Sequence, residues 1–260
     1  MNAEAESQRQ RILDQFTRQA RPFTEMAAHS EESSMRLVLE ASGVGADDAV
    51  LDVACGPGLT TCAFAAKARQ VTGIDLTPAM IEQAELQRRA RGIENLTFQV
   101  GDIGSLPFPD ASFSIVFTRY SFHHLLDPAE ALAEMVRVCE PGGRVVVVDV
   151  YTTTPEQAEA YNAAERLRDP SHTRALDLAE LLALMRDTHL AELTTDFYGL
   201  DVDFEEILGS SFPDPENIER LRSIFREDIG RNRLGVDARI DEGRVRFKFP
   251  VVVAVGRKPA

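Results

Sequence analysis

The chain has 260 residues, of which 44% are hydrophobic, and a formal net charge of −14 at pH 7. This length fits one α/β domain with additions, because domains usually hold roughly 100–200 residues. The acidic total disfavours nucleic acid, whose phosphates a binding protein must neutralise, so we expect a small-molecule substrate and no nucleic-acid partner.

The first predicted elements lie in residues 1–34, which we interpret as an N-terminal helical lid. One face of a predicted helix carries apolar residues, namely Ile12, Leu13, Phe16 and Ala20. Residues 21–35 follow, and we expect this segment, with Phe23 and His29, to fold over a binding site.

A buried apolar strand at residues 50–53 is followed by Gly56 and Gly58 and then by a helix. Glycine has no side chain, so the backbone there can turn sharply and approach a ligand, while the N–H groups of the helix face any anion. Such a turn suits a phosphate or the carboxylate of an amino-acid cofactor. Taken alone, it is also typical of ordinary strand-to-helix connections.

Two further predicted strands end in acidic residues. Residues 70–74 lead into Asp75, and residues 96–100 lead into Gly101 and Asp102. The carboxyl ends of parallel strands meet at one edge of a sheet, where a carboxylate can accept the hydroxyl groups of a ribose. The pattern therefore predicts one binding edge, although an aspartate at such a position also serves as a helix N-cap or turn residue.

Strand and helix signals alternate along the chain, which predicts a parallel sheet with helices on both faces. Residues 144–150 are apolar without alternation, as is typical of a central strand. The pattern of residues 245–255 predicts the last strand. The segment 203–231 lies outside the minimal sheet and predicts an amphipathic helix.

These motifs together resemble the class I S-adenosylmethionine-dependent methyltransferases, and more narrowly the ubiquinone/menaquinone biosynthesis methyltransferase-like group. The resemblance is strong over residues 35–150 and is carried by Asp52-x-Ala54-x-Gly56-x-Gly58, Gly73-Ile74-Asp75, Gly101-Asp102-Ile103, Leu106-Pro107-Phe108, Phe113-Ser114-Ile115-Val116 and Glu140-Pro141-Gly142-Gly143. It implies a Rossmann-like sheet of seven strands, mostly parallel, with an antiparallel last strand inserted beside the fifth. Helices would cover both faces, with N-terminal helices and a helical insertion before the last strand added.

The resemblance implies S-adenosyl-L-methionine as the cofactor and a small organic methyl acceptor of aromatic or quinone-like type. It also assigns residues to the parts of the cofactor. The methionine part of the cofactor would contact Asp52, Ala54, Gly56 and Gly58, and its amino group would contact the backbone of Thr118 and Arg119. The ribose would bind to Asp75. The adenine would contact Leu76, Gly101, Asp102 and Ile103.

Methyl transfer needs a general base only if the acceptor is a phenol, a carbon acid or a protonated amine. His123 and His124 lie just beyond the fourth predicted strand, and His172 lies in a loop before a predicted helix. These three histidines are the catalytic candidates. Each also suits a structural or substrate-orienting role.

The resemblance divides the chain into the lid at residues 1–34 and a methyltransferase domain at residues 35–260, with a helical insertion at about 203–231. Loops beyond the strand ends surround such a site, so we predict that the lid and the insertion form the substrate pocket. The alternative is that both segments extend the core or form the interface of a homodimer.

We expect a cytoplasmic protein, because no apolar run approaches the roughly 20 residues of a membrane span and no leader opens the chain. Cys55, Cys62 and Cys139 are odd in number, which disfavours a disulfide framework, and their positions disfavour a metal site. Free, buried thiols are expected instead.

Two other functions fit part of the pattern. A nicotinamide-dependent oxidoreductase would use Gly56, Gly58 and Asp75, but Thr61 stands where its fingerprint has a third glycine, and Gly101-Asp102 goes unexplained. A protein that binds the cofactor without catalysis would keep the same motifs, since fold does not fix function.

Overall fold

The computed structural model describes residues 3–25 and 32–260, so His29 lies outside the described residues. The described helices are α1 (Ala3–Glu25), α2 (Glu32–Ser42), α3 (Leu59–Ala65), α4 (Pro78–Ala90), α5 (Pro128–Val138), α6 (Pro155–Arg168), α7 (Leu178–Asp187), α8 (Phe204–Ser211) and α9 (Ile218–Asp228). The described strands are β1 (Ala49–Val53), β2 (Gln70–Asp75), β3 (Leu96–Val100), β4 (Phe113–Arg119), β5 (Cys139–Thr152), β6 (Leu176–Asp177), β7 (Ala191–Asp203), β8 (Arg239–Asp241) and β9 (Arg244–Arg257).

The strands form one sheet with the order β3-β2-β1-β4-β5-β9-β7. Neighbours from β3 to β5 are parallel, whereas β9 runs antiparallel to both β5 and β7. This confirms the predicted mostly parallel sheet with an antiparallel last strand beside the fifth.

The predicted number of seven strands is too low for the described residues, because the sheet has nine. Seven strands form the main order, while β6 pairs only with β5 and β8 only with β9. The two extra strands are two and three residues long. A segment that short shows no hydrophobic period that could distinguish it from a loop.

The central strands are apolar because both faces of the sheet are covered. Successive residues of β1 enter opposite cores, with Val50 on one side and Leu51 on the other. Because β1 to β5 pair in parallel, their carboxyl ends meet at one edge of the sheet.

The insertion helices α8 and α9 extend one of these cores. The Phe204 ring lies 4.6 Å from that of Phe225, and the Phe225 ring lies 4.8 Å from that of Phe247 in β9. All three side chains are buried. The insertion is therefore part of the packed body of the protein at the β7 and β9 end of the sheet.

The long helix α1 packs against α4 and α8. In the described residues, no helix has both the length and the apolar composition needed to cross a membrane. Cys55, Cys62 and Cys139 are free and buried, which confirms the prediction for the thiols.

The close contact of β2 with β3 at Gly73 yields a test of the packing. A Cβ atom at this position would lie 2.5 Å from Cδ1 of Phe98. We expect Gly73→Ala to lower the free energy of unfolding by about 1–3 kcal/mol through overpacking. Denaturant titration followed by circular dichroism measures the change.

Gly209→Ala is the matched control, because a Cβ there meets nothing within 4 Å among the described residues. We expect it to leave the free energy of unfolding unchanged or to raise it by about 0.5–1 kcal/mol, since alanine is the better helix former. Equal stability of the two variants would contradict the packing at Gly73.

Candidate functional site

A cavity of about 970 Å³ lies at the edge where the parallel strands end. Its floor comes from the residues that follow β1, β2, β3 and β4, and α1 forms part of its wall. Ligand sites in proteins measure about 300–1,000 Å³, so this cavity could hold a cofactor together with a small second molecule.

The two glycines after β1 have different surroundings. Gly56 lines the cavity with φ +53°, and a Cβ there would meet nothing within 4 Å among the described residues. Gly58 has φ +77°, but a Cβ on it would lie 2.8 Å from the Phe98 ring and 2.9 Å from Cβ of Ala84. Gly56 thus leaves open space for a ligand, whereas Gly58 lets α4 and β3 pack against the turn.

Asp75 connects the glycine turn to the end of β2. Its Oδ2 accepts a hydrogen bond from the Gly56 N–H and its Oδ1 accepts one from the Thr77 N–H, each at 2.8 Å. The carboxyl is buried on the cavity wall. Burial raises the pKa of Asp75, although these hydrogen bonds partly oppose the shift.

Asp52 lies deeper on the same wall. Its Oδ2 accepts a hydrogen bond of 2.6 Å from Oγ1 of Thr61, the residue that departs from the dinucleotide fingerprint. Burial, reinforced by the negative charge of Asp75, raises the pKa of Asp52 to about 7. A carboxyl poised in this way exchanges a proton near neutral pH and responds to any cation that binds beside it.

The end of β4 supplies another part of the wall. Nη1 of Arg119 donates to Oγ1 of Thr60 at 3.3 Å, and the guanidinium lies 4.6 Å from the centre of the Tyr120 ring. Tyr120 has φ +58°, a left-handed conformation that is uncommon outside glycine. Ala54 shares this feature at φ +56°, so two strained residues lie on the cavity wall.

Thr118 lies behind the wall. Its side chain is fully buried, and its hydroxyl donates to the Val53 carbonyl at 2.7 Å and lies 2.6 Å from Oγ of Ser121. It therefore joins the ends of β1 and β4.

The end of β3 contacts α1. Nη1 of Arg9 pairs with Oδ2 of Asp102 at 3.2 Å, in a contact that is partly open to solvent. Gly101 allows close packing, because a Cβ there would lie 2.5 Å from Cδ1 of Ile74. The remaining predicted residues at this end, Leu76 and Ile103, also line the cavity.

The structure brings the three candidate histidines together but places them differently. Of the three, His124 lies on the described cavity wall, where its ring centre is 4.9 Å from that of Phe16. Nδ1 of His123 lies 2.5 Å from Oδ1 of Asp149, and Nε2 of His172 lies 2.8 Å from Oδ1 of Asn162. His123 and His172 thus lie behind His124.

Their electrostatic environments also differ. Burial and the neighbouring His123 lower the pKa of His124 to about 4. Burial also lowers the pKa of His172 strongly. Burial alone would lower the pKa of His123, but the Asp149 carboxylate outweighs it and raises that pKa.

The two added segments contribute unequally to the cavity. Helix α1 supplies Ile12, Phe16 and Phe23 to the wall, together with Gln8 and Arg9. Within the described part of the wall, no residue comes from 203–231, so the predicted contribution of the insertion to the substrate pocket is wrong. Its apolar residues pack into the core at the far end of the sheet instead.

Sequence reasoning missed the polar contacts of α1 and the partners of the histidines. The apolar face of α1 was visible as a helical period, but Gln8 and Arg9 carry no local signal. Asp149 lies within an apolar strand, and its contact with His123 joins residues far apart in the chain. The described residues hold no group of three or more His, Cys, Asp or Glu side chains that could bind a metal ion.

Comparisons with known proteins agree with this geometry. The family model described as a methyltransferase domain matches residues 51–147. The uncharacterized methyltransferase YcgJ of Bacillus subtilis is 34% identical over 191 residues, which span 73% of this chain and 76% of that protein. Its crystal structure superposes with a TM-score of 0.81 and 29% identity, covering 88% of this chain and all of that one.

The demethylmenaquinone methyltransferase of Renibacterium salmoninarum is 35% identical over 114 residues, or 44% of this chain and 46% of that protein. The matches favour a methyltransferase over a nicotinamide-dependent oxidoreductase. With the glycine turn, the two acidic strand ends and the antiparallel last strand in place, the chain belongs to the class I S-adenosylmethionine-dependent methyltransferases.

Proposed function

We propose that this methyltransferase uses S-adenosyl-L-methionine to methylate a small organic acceptor of aromatic or quinone-like type. The observation that carries the proposal is the cavity at the strand ends, because it combines buried carboxylates and an open glycine turn with an apolar wall. The acidic formal charge supports a small molecule over nucleic acid as the substrate.

The residues on the wall fit the cofactor chemically. Each oxygen of Asp75 accepts one backbone N–H and keeps acceptor capacity for a ribose hydroxyl. Asp52 lies where it could accept from the amino group, and the space above Gly56 leaves room for the methionine part. Leu76 and Ile103 offer apolar surface for the adenine. Gly58 and Thr118 would act indirectly, by holding the turn and the strand ends in place.

When bound, the cofactor supplies an electrophilic methyl group: the acceptor's electron pair bonds to the methyl carbon, and the pair of the broken carbon–sulfur bond stays on sulfur. The protein has to align the acceptor and exclude water. Helix α1 is suited to both tasks, because Ile12, Phe16 and Phe23 form an apolar cover over the cavity.

The same apolar cover supports the type of acceptor. Aromatic rings gain contact area and edge-to-face geometry from a wall that contains Phe16 and Phe23. The name of the demethylmenaquinone methyltransferase relative points to the same type of molecule. Turnover by the purified protein over a panel of phenols, hydroquinones and quinones tests this assignment, and tight cofactor binding without any turnover would favour a non-catalytic protein.

Asp75 gives the sharpest test of cofactor binding. We expect Asp75→Ala to weaken the affinity for S-adenosylmethionine about tenfold to a hundredfold, since hydrogen bonds to a charged group contribute about 1.5–3 kcal/mol. Isothermal titration calorimetry measures the affinity. Asp187→Ala, which removes an exposed carboxylate at the end of α7, is the control and should bind normally. An unchanged affinity of Asp75→Ala would contradict the proposed site.

The raised pKa of Asp52 predicts that cofactor binding releases a proton from the protein. In the free protein its pKa is raised to about 7, so most of the carboxyl groups are protonated at a pH slightly below 7. A cofactor ammonium group beside it favours the carboxylate and lowers the pKa. At about pH 6.5 we expect a release of roughly half to three quarters of a proton per cofactor bound, and little release above about pH 8.

Binding enthalpies in buffers of different ionisation enthalpy measure this release. Asp52→Asn keeps the size of the side chain and an acceptor for Thr61 but has no proton to lose, so its enthalpies should be independent of the buffer. Buffer-independent enthalpies for the unmodified protein at about pH 6.5 would show that Asp52 does not face the amino group.

A further inference from the structure

The ring of His124 lies between the cavity and a buried polar pair. Oγ of Ser171 lies 3.1 Å from Nδ1 of His124, and both the hydroxyl and the N–H of Ser171 donate to Oδ1 of Asp169, at 2.6 and 2.8 Å. Ser171 is fully buried, whereas His124 reaches the cavity. The three residues thus form a chain of hydrogen bonds that leads from the core to the site.

The direction of each hydrogen bond between His124, Ser171 and Asp169 follows from the charge of Asp169. Burial alone would raise the pKa of Asp169, but charge on His124, the Arg168 guanidinium and the hydrogen bonds from Ser171 lower it. Arg168 and Ser171 act even when His124 is neutral, so Asp169 is a carboxylate. A carboxylate only accepts, so the Ser171 hydroxyl proton points to Asp169. Nδ1 of His124 must therefore donate to Ser171. The neutral ring then carries its lone pair on Nε2, the nitrogen turned away from Ser171.

Backbone contacts hold this arrangement in place. The amide of Gln8 in α1 donates to the carbonyl of His124 at 2.8 Å and to that of Ser171 at 2.6 Å. The Thr173 N–H donates to the His123 carbonyl at 2.9 Å, and the Thr173 hydroxyl lies 2.8 and 2.9 Å from the carbonyl oxygens of His123 and Leu125, between which it shares its one proton. The turn that bears His124 and the loop that bears Ser171 are thus fixed to each other and to α1.

Each of the other two histidines uses a ring nitrogen to contact a different side chain. Nδ1 of His123 is engaged by Asp149. His172 uses Nε2 for Asn162, and within the described residues its buried Nδ1 has no hydrogen-bond partner. Neither residue is part of the described cavity wall. His124 is therefore the candidate that presents a basic nitrogen to a bound molecule.

We propose that Asp169 and Ser171 are positioning residues that hold His124 in the Nδ1–H form, so that its Nε2 takes a proton from the methyl acceptor. The acceptor is accordingly protic: a phenol, an enol or a carbon acid. This inference rests on the proposed function. In the step, the acceptor's O–H or C–H bond breaks, its proton binds Nε2, and the electron pair left behind forms the bond to the methyl carbon. The imidazolium later releases the proton to water.

The charges around His124 act in opposite directions. Burial and His123 keep the ring neutral at pH 7 but make it a weak base, so Nε2 takes the proton as the new bond to the methyl carbon forms. Asp169 and Asp149 favour the imidazolium once it forms. The charged or titratable groups near the ring are His123, Asp149, Asp169 and His172, and those on the cavity wall are Glu4, Arg9, Asp52, Cys55, Asp75, Asp102, Arg119, Tyr120, Asp127 and Glu130.

The tautomer can be measured without any acceptor. Two-bond ¹⁵N–¹H spectra of the full chain with labelled histidine, at pH 7 and with or without S-adenosylhomocysteine, distinguish Nδ1–H from Nε2–H, and His124→Gln assigns the signal. We expect Nδ1–H for His124 and Nε2–H for His172. Ser171→Ala should move His124 toward Nε2–H, whereas Ser210→Ala, which removes another buried serine hydroxyl, should not.

An Nε2–H form of His124 in the unmodified protein, or no change in Ser171→Ala, would overturn the inference. Calorimetry on the same samples reports cofactor binding separately. If the cofactor binds but His124 is in the Nε2–H form, the proposed function stands and the positioning role of Asp169 and Ser171 is contradicted. If the cofactor does not bind, the proposed function is contradicted, whichever tautomer His124 has.

Kinetics with a phenol from the acceptor panel test the chemical role. We expect Ser171→Ala and Asp169→Asn to lower kcat about tenfold to a hundredfold with little change in KM, and Ser210→Ala to have no effect. For His124→Gln, kcat/KM should rise about tenfold per pH unit up to the pKa of the phenol, because only the ionised acceptor then reacts. A flat profile for His124→Gln, or methylation of aprotic acceptors such as tertiary amines alone, would overturn the assignment.

Discussion

The Asp75 carboxylate accepts one backbone N–H from the glycine turn after β1 and one from the start of α4. The Cys55 N–H donates to the Ile74 carbonyl at 3.0 Å, and Asp75 adds side-chain hydrogen bonds to this backbone contact between the ends of β1 and β2. A buried carboxyl is costly unless hydrogen bonds satisfy it, so Asp75 holds the turn and the strand end in one arrangement. The Cα of Gly56 consequently faces the open cavity. The other residues of the wall surround this position.

Helix α1 completes the site from the opposite side, and two adjacent residues connect it to different ends of the cavity. Arg9 reaches Asp102 at the end of β3, in a half-exposed ion pair of the kind that contributes about 0–1 kcal/mol. Gln8 makes two buried hydrogen bonds at the histidine end, each contributing about 1 kcal/mol. The helix is therefore held more firmly beside His124 than beside Asp102.

The sheet could be predicted because its determinants are local. Apolar runs and the Gly or Asp residues after β1, β2 and β3 are legible in the sequence, and they place the cavity edge correctly. The contacts that complete the site are between distant residues: Gln8 with Ser171, His123 with Asp149, and Tyr120 with Tyr198 at 2.6 Å between hydroxyls. No periodicity encodes such pairs, since they depend on how loops and helices close over the sheet.

The paired histidines show how neighbours in sequence acquire different chemistry. Their ring centres lie 4.2 Å apart, so placing a positive charge on both at once is unfavourable. Asp149 is fixed by hydrogen bonds from the N–H groups of Phe122 and Val150 and stabilises the charge on His123. That charge in turn disfavours protonation of His124. Burial and the charge on His123 therefore keep His124 neutral, although Asp149 and Asp169 oppose them. A neutral ring is the state that a proton acceptor beside the cavity requires.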